Sequence, residues 1–371
     1  MTLAVTQFDF SLTVVEIGFL AVLTVLVALA WRLKTPAIWP LAALTLLALF
    51  NALCTRSFFE FTWLDAHLFG TPIDILNNGA YVMLLALGMT LVIATGGVDL
   101  SVGAVMAISA AAATVLVKDH NAPIALVIAA PIAVAILAGA WNGLLVTVFR
   151  IQPLVATLVL MVSGRGVAML ITQGFQPSIP RQYYAYQEFA YIGNGFLFKL
   201  PVTVTIVAVM FAITALLTRK TALGMFIESV GDNDTASRYS GVNARAVKLA
   251  AYAFSGLCAG IAGLIHTSNN LGTNPSKTGL YFELDAIMAV VIGGTALTGG
   301  RFSLLGSIVG ALLIQSLTTT MLTHGLSSNE VLVPKAMVVV AVCLLQAPEF
   351  HRKMRLLGKR ISRLAGRRAP E

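Results

Sequence analysis

An all-α polytopic membrane protein is the fold class this sequence predicts, and three observations carry it. Residues are 58% hydrophobic and only 11% charged, with a mean hydropathy of +0.87. That is more apolar surface than a soluble globule of 371 residues can bury. Eleven apolar runs approach the ~20 residues that cross a bilayer. The basic residues between those runs segregate to one side.

The runs cover 12–31, 37–54, 78–95, 100–117, 123–148, 153–173, 200–218, 247–267, 284–298, 303–323 and 331–347. If the loop at 31–36 is cytoplasmic, alternation places 17 of the 24 Lys and Arg inside, 6 outside, and Arg165 within a span. That bias predicts an outer N-terminus and a cytoplasmic C-terminus. The run 284–298 is the weakest span, because its apolar part before Gly293 and Gly294 has the length of a half-helix. The first run has no basic n-region and no small-residue cleavage site, and Arg32 and Lys34 follow it at once, so a signal peptide is not expected. A signal anchor, a peripheral helix and an upstream start codon remain its alternative explanations.

Between two of the runs lies Ala94-Thr-Gly-Gly-Val-Asp-Leu-Ser-Val-Gly103. Gly96 and Gly97 release the backbone from helical geometry, and Asp99 and Ser101 offer oxygens to the N–H groups of a helix that restarts. The stretch is either a capped turn at the membrane surface or a helix break lining a pathway. Gly293-Gly-Thr-Ala-Leu-Thr-Gly-Gly-Arg301 interrupts the late spans in the same manner, and both breaks face the cytoplasm in this topology. Gly256-x-x-x-Gly260 and Gly306-x-x-x-Gly310 predict close helix contacts.

Two loops are long. The outer one, Gly174 to Lys199, is rich in aromatic residues and reads as an interfacial belt anchoring a surface helix or as a docking surface. The inner one, 219–248, reads as two short helices. Gly231 ends the first, Asp232 or Asp234 caps the second, and Gly241 ends that. Its apolar edge of Met225, Phe226 and Val230 suits a partner protein or the lipid headgroups.

No G-x-x-x-x-G-K-[ST], H-E-x-x-H or G-x-S-x-G occurs, so neither nucleotide hydrolysis in the P-loop manner nor a familiar enzyme site is expected, and no cofactor or metal is implied. Cys54, Cys258 and Cys343 lie far apart and read as apolar packing residues. The net charge of +8 sits in loops and the tail 351–371, which fits topology and anionic lipid rather than nucleic acid. Arg165, near the middle of its run, needs a partner, and depth along the helices nominates Asp285 or Asp99.

Gly88-Met-Thr-Leu-Val-Ile-Ala-Thr-Gly-Gly-Val-Asp-Leu-Ser-Val-Gly103, Gln152-Pro-Leu-Val-Ala-Thr157, Ser163-Gly-Arg-Gly166, the inner loop and Glu283-Leu-Asp-Ala286 through Gly300 resemble the ribose and galactose type permeases of bacterial ABC importers. Within that family, Leu68-Phe-Gly-Thr-Pro-Ile-Asp-Ile-Leu-Asn77 and Thr218 to Glu228 look most like galactofuranose permeases. The resemblance implies an inner-membrane permease for a monosaccharide, with a ten-helix core over 31–350. Residues 1–30 are expected to add one apolar helix to that core. It also implies a second permease copy or paralogue, a separate cytoplasmic ATPase subunit and an extracytoplasmic sugar-binding protein. Gly224, Glu228, Gly231 and Gly241 then fall in the region that couples to the ATPase. The alternative is an autonomous secondary transporter driven by an ion gradient.

Overall fold

The structure, a computed structural model, describes residues 14–346 apart from residues 33–37, 56–57, 60, 65–66, 184, 198 and 328–329. The basic tail and the first 13 residues lie outside the described residues. The chain opens with helices α1 (Val14–Arg32) and α2 (Ile38–Cys54), then a small hairpin of β1 (Thr62–Leu64) and β2 (His67–Phe69). Next come α3 (Thr71–Ala94), α4 (Val102–Lys118), α5 (Ile124–Thr147) and α6 (Pro153–Ile171). The short outer helix α7 (Tyr186–Asn194) and a second hairpin, β3 (Phe196–Leu197) with β4 (Leu200–Pro201), lead into α8 (Val202–Lys220). The inner loop holds α9 (Ala222–Asp232) and α10 (Asp234–Tyr239). The chain continues through α11 (Ala244–Asn270), α12 (Phe282–Ile292), α13 (Leu304–Thr323) and α14 (Leu332–Gln346).

Every apolar run of the sequence holds a helix, and among the described residues six helices are long and apolar enough to cross a membrane: α3, α5, α6, α8, α11 and α13. The run 284–298 is not one continuous helix. Its helical part, α12, has 11 residues, which is about 17 Å of length and short of a bilayer core. Gly293 and Gly294 end it, and turns and irregular chain persist until α13 begins.

Helix α3 is the axis of the molecule. In its apolar window 78% of residues are buried, against 22% in α5, α6 and α8. Gly79, Ala80, Ala86 and Gly88 let neighbours close in, and a Cβ at Gly88 would lie 2.8 Å from the Ser255 Cα of α11. Helices α8, α11, α12 and α13 surround α3. On α6, by contrast, Leu158, Val159, Val162 and Leu170 remain exposed, an apolar surface suited to hydrocarbon.

The small-residue spacings mark contacts as expected. A Cβ at Gly256 would meet the Ala135 carbonyl of α5 at 2.3 Å, and one at Gly260 would meet the Ala135 methyl at 2.7 Å. Between α12 and α13, a Cβ at Gly310 would fall 2.1 Å from the Ala289 carbonyl. Backbones this close gain dispersion over a long face, which is what drives helix association in lipid.

The aromatic outer loop divides its residues. Phe175 and Tyr191 are exposed, whereas Phe189 of α7 is fully buried beside Ile179 and Leu264. The Ser268 hydroxyl of α11 donates to the Phe189 carbonyl at 2.5 Å and accepts from the Gly193 amide at 2.7 Å. Helix α7 is thereby fastened across the C-terminal end of α11.

Gly256→Val should lower the thermal unfolding midpoint in detergent, with an overpacking cost of about 1–3 kcal/mol. Gly166→Ala is the control, because no atom lies within 4 Å of its Cβ position. An unchanged midpoint for Gly256→Val would mean that α5 and α11 are not held at this separation.

Candidate functional site

The first break begins where α3 ends. Gly96 turns the chain with φ +78°, a conformation open to glycine at little cost. Gly97 leaves room for Tyr252, whose hydroxyl would lie 2.6 Å from a Cβ there. Asp99 then lies fully inside the protein. Its Oδ1 accepts from the Ser101 hydroxyl at 2.6 Å and the Ser101 amide at 3.0 Å, and its Oδ2 accepts from the Ser255 hydroxyl of α11 at 3.0 Å. The Asn142 amide of α5 donates to the Ser101 hydroxyl at 2.8 Å. Asp99 and Ser101 thus tie the restart of α4 to two neighbouring helices, and a buried carboxylate is tolerable only with such donors.

The second break reaches the same point from the other side. Gly294, Gly299 and Gly300 all have φ near +90°, which carries the chain from α12 to α13 without regular structure. The Ser303 hydroxyl caps α13 by accepting from the Gly306 amide at 3.1 Å. Gly293 packs backbone to backbone on Gly306, where a Cβ would meet the carbonyl carbon at 2.4 Å. Most telling, the Gly300 amide donates to the Ala94 carbonyl at 2.9 Å, binding the second break to the last turn of α3.

Helix α9 of the inner loop is wedged into that junction. A Cβ on Gly231 would lie 1.8 Å from the Ala94 carbonyl oxygen and 2.5 Å from the Gly300 nitrogen. A Cβ on Gly299 would lie 2.8 Å from the Gly231 carbonyl oxygen and 2.9 Å from the Gly96 nitrogen. The two breaks and the inner loop therefore meet through bare backbone. Gly231 is not the terminator expected of it: α9 runs one residue further, to Asp232, and the missing side chain serves the contact instead.

The rest of the inner loop holds α9 and α10 in place. Gly224 fits against the Thr218 carbonyl, 2.0 Å from its Cβ position, so α8 can fold back directly into α9. Neither Asp232 nor Asp234 caps α10. Asn233 does, accepting from the Ala236 amide at 2.9 Å. Asp234 instead pairs with Arg238 at 3.0 Å and Lys248 at 3.2 Å, pinning α10 to the start of α11. Partial burial works to raise its pKa, but Lys248 and Arg238 outweigh that and hold the carboxyl below its ordinary range. Gly241 turns the chain at φ +87°, and Glu228 is half-buried on α9. Met225 and Tyr239 project from the two helices, with Tyr239 89% exposed.

Arg165 and Asp285 do not pair. Arg165 donates to the Thr278 carbonyl at 2.5 Å, in the connection between α11 and α12, and lies in the field of Glu283. Asp285 is engaged by Lys335 of α14 at 3.0 and 3.1 Å, with both side chains buried. Asp99 is saturated by its own donors. Glu283 and Lys335 are the groups that helix-depth counting passed over, since Lys335 reads from sequence as an outer flank. Beside this pair Tyr81 of α3 stacks on Phe282 with centroids 5.1 Å apart, and His266 meets the Tyr81 ring edge-on at 5.6 Å.

Asp285→Ala should therefore lower stability by about 3–5 kcal/mol by stranding a buried ammonium. Asp285→Leu with Lys335→Met should regain most of the lost midpoint. A double variant no better than the single one would deny that the two charges are each other's partners.

The chain matches the family described as "Branched-chain amino acid transport system / permease component" over residues 71–342. It is 49% identical over 321 residues to the galactofuranose transporter permease protein YtfT of Escherichia coli, covering 86% of this chain and 92% of that protein. It is 39% identical to the fructose import permease protein FruF of Bifidobacterium longum, covering 84% and 88%. Identity to the ribose import permease protein RbsC of Escherichia coli is 34%, covering 85% and 94%. No solved structure matches. A component of a multi-part transport system is not the self-sufficient ion-driven carrier considered as the alternative. Its apolar helices, its matched length and its relatives agree: the chain belongs to the transport-system permease-component family.

Proposed function

We propose that this chain is the inner-membrane permease of an ATP-driven monosaccharide importer, with a substrate in the galactofuranose, galactose or ribose class. The observation that carries the mechanism is the glycine junction. A short helix on the inner loop meets the ends of α3 and α12–α13 through backbone alone, with Gly231 against Ala94 and Gly300. A push on α9 is transmitted to both helix breaks without a compliant side chain between them. An ABC ATPase seated on the exposed faces of α9 and α10, around Met225 and Tyr239, supplies that push. Gly224 and the Asn233 cap fix the two ends of the lever, and Glu228 lies along it.

The pathway in this proposal runs beside the breaks and the outer starts of α12 and α14, in a ten-helix core preceded by the extra N-terminal helix. A second permease copy or paralogue completes it, and an extracytoplasmic binding protein delivers the sugar. Asp99, Ser101, Arg165 and Asp285 act as structural ties that set the pathway's walls, since each bonds a protein partner. The C-terminal tail is cytoplasmic and rests on anionic lipid. Support for the sugar class comes from the relatives' names, all three of which are sugar permeases.

Gly231→Ala should leave the protein inserted and bound to its ATPase, yet reduce sugar uptake at least tenfold relative to ATP hydrolysis. Gly241→Asn, at a left-handed turn with open space around it, should retain uptake. Co-purification with the ATPase, followed by a screen of galactofuranose, galactose, ribose and fructose, reads out which sugar stimulates hydrolysis. Accumulation of sugar by the purified chain alone on a proton gradient would overturn the proposal, and normal uptake by Gly231→Ala would remove α9 from the mechanism.

A further inference from the structure

A polar cavity of about 480 Å³ opens where the α5–α6 connection, α10 and the first turns of α11 converge, beside Gly96 of the first break. Four cations line it, Arg150, Arg238, Arg245 and Lys248, against one carboxylate, Asp234. Asp234 is already shared between Arg238 and Lys248. Arg150 and Arg245 make no ion pair among the described residues.

Helix geometry sharpens the imbalance. Arg245 and Lys248 occupy the first turns of α11, and Arg150 stands three residues before the start of α6. Helix N-termini carry about half a positive charge, so cations there repel the helix ends as well as one another. Only an anion relieves both. Arg150 is moreover held at φ +58°, a left-handed backbone that non-glycine residues rarely adopt. Positive-inside topology asks for basic residues on this face, but not for four from three segments to share one cavity. Arg219 and Lys220 meet that topological need without lining it.

From this convergence we infer that the cavity is a binding site for a phosphate group, carried by an anionic lipid headgroup or by a small soluble phosphate ester. Guanidinium forks suit phosphate oxygens, and the cavity has room for a phosphate together with part of the molecule that carries it. Because the cavity touches both α10 and Gly96, its occupant bears on the same junction that α9 engages. Binding itself does not depend on the transported sugar or on ATP hydrolysis, so it stands or falls apart from the proposed transport function.

The test titrates the delipidated full-length chain in neutral detergent with dihexanoyl phosphatidylglycerol, dihexanoyl phosphatidylcholine, inorganic phosphate and glucose 6-phosphate. One saturable site per chain is expected, for phosphatidylglycerol alone if the source is lipid, and for the soluble phosphates too if it is not. Arg150→Gln with Arg245→Gln should weaken that binding about tenfold or more, equivalent to about 1.4 kcal/mol. Arg219→Gln with Lys220→Gln, the same change in net charge, should not. If the first pair does not fold, Arg245→Gln alone carries the comparison, since that side chain is exposed. Equal binding by wild type and cavity variants, equal loss in the control variant, or no saturable binding by any probe would overturn the inference.

Discussion

Everything distinctive about this molecule depends on a place where side chains have been removed. Gly231, Gly299, Gly300 and Gly96 allow three chain segments to touch through backbone, with Ala94 at the end of α3 as the common anvil. The constraint is steric before it is energetic. A single added methyl at Gly231 has no volume to occupy, so the end of α9 and the two breaks cannot slide apart or rotate independently without opening the contact. Burial of α3 along most of its length then carries the position of that junction through the core, because α3 is packed by α8, α11, α12 and α13.

Polar groups secure the same frame from within. Asp99 and Ser101 join the start of α4 to α5 and α11, Asp285 joins α12 to α14, and Arg165 joins α6 to the connection before α12. Each tie spans elements that apolar packing alone leaves free to shift, since lipid and leucine are equally apolar neighbours. In a medium without water these bonds specify register. Bare backbone at the glycine junction and buried charges at the helix ends divide the work between transmission and alignment.

Much of the fold was legible in the sequence because a bilayer imposes length and polarity on every span. The eleven apolar runs hold helices, the doubtful run 284–298 is a half-helix, and the glycine spacings mark close contacts. Partnership was not legible. Asp285 and Lys335 are 50 residues apart, and nothing in apolar periodicity says that α12 and α14 touch, so depth along the helices nominates Asp285 or Asp99 for Arg165, which bonds the Thr278 carbonyl instead. Asn233, Asp232 and Asp234 have nearly equal capping tendency, and only the turn geometry selects Asn233. Gly231 looked like a helix stop because an end and a contact both call for glycine. The sequence shows two glycine breaks that interrupt their spans in the same manner, and only the structure brings them into contact.

The central claim is that α9 and the two breaks move as one body. Spin labels on Met225→Cys of α9 and Leu297→Cys of the second break, both exposed, measure it directly in the assembled transporter once the native cysteines are replaced. Pulsed electron resonance distances with and without ATP should be the same for this pair while a label on exposed Leu158 of α6 moves relative to both. A Met225–Leu297 distance that changes with ATP would show that the glycine junction opens during the cycle and would contradict the account.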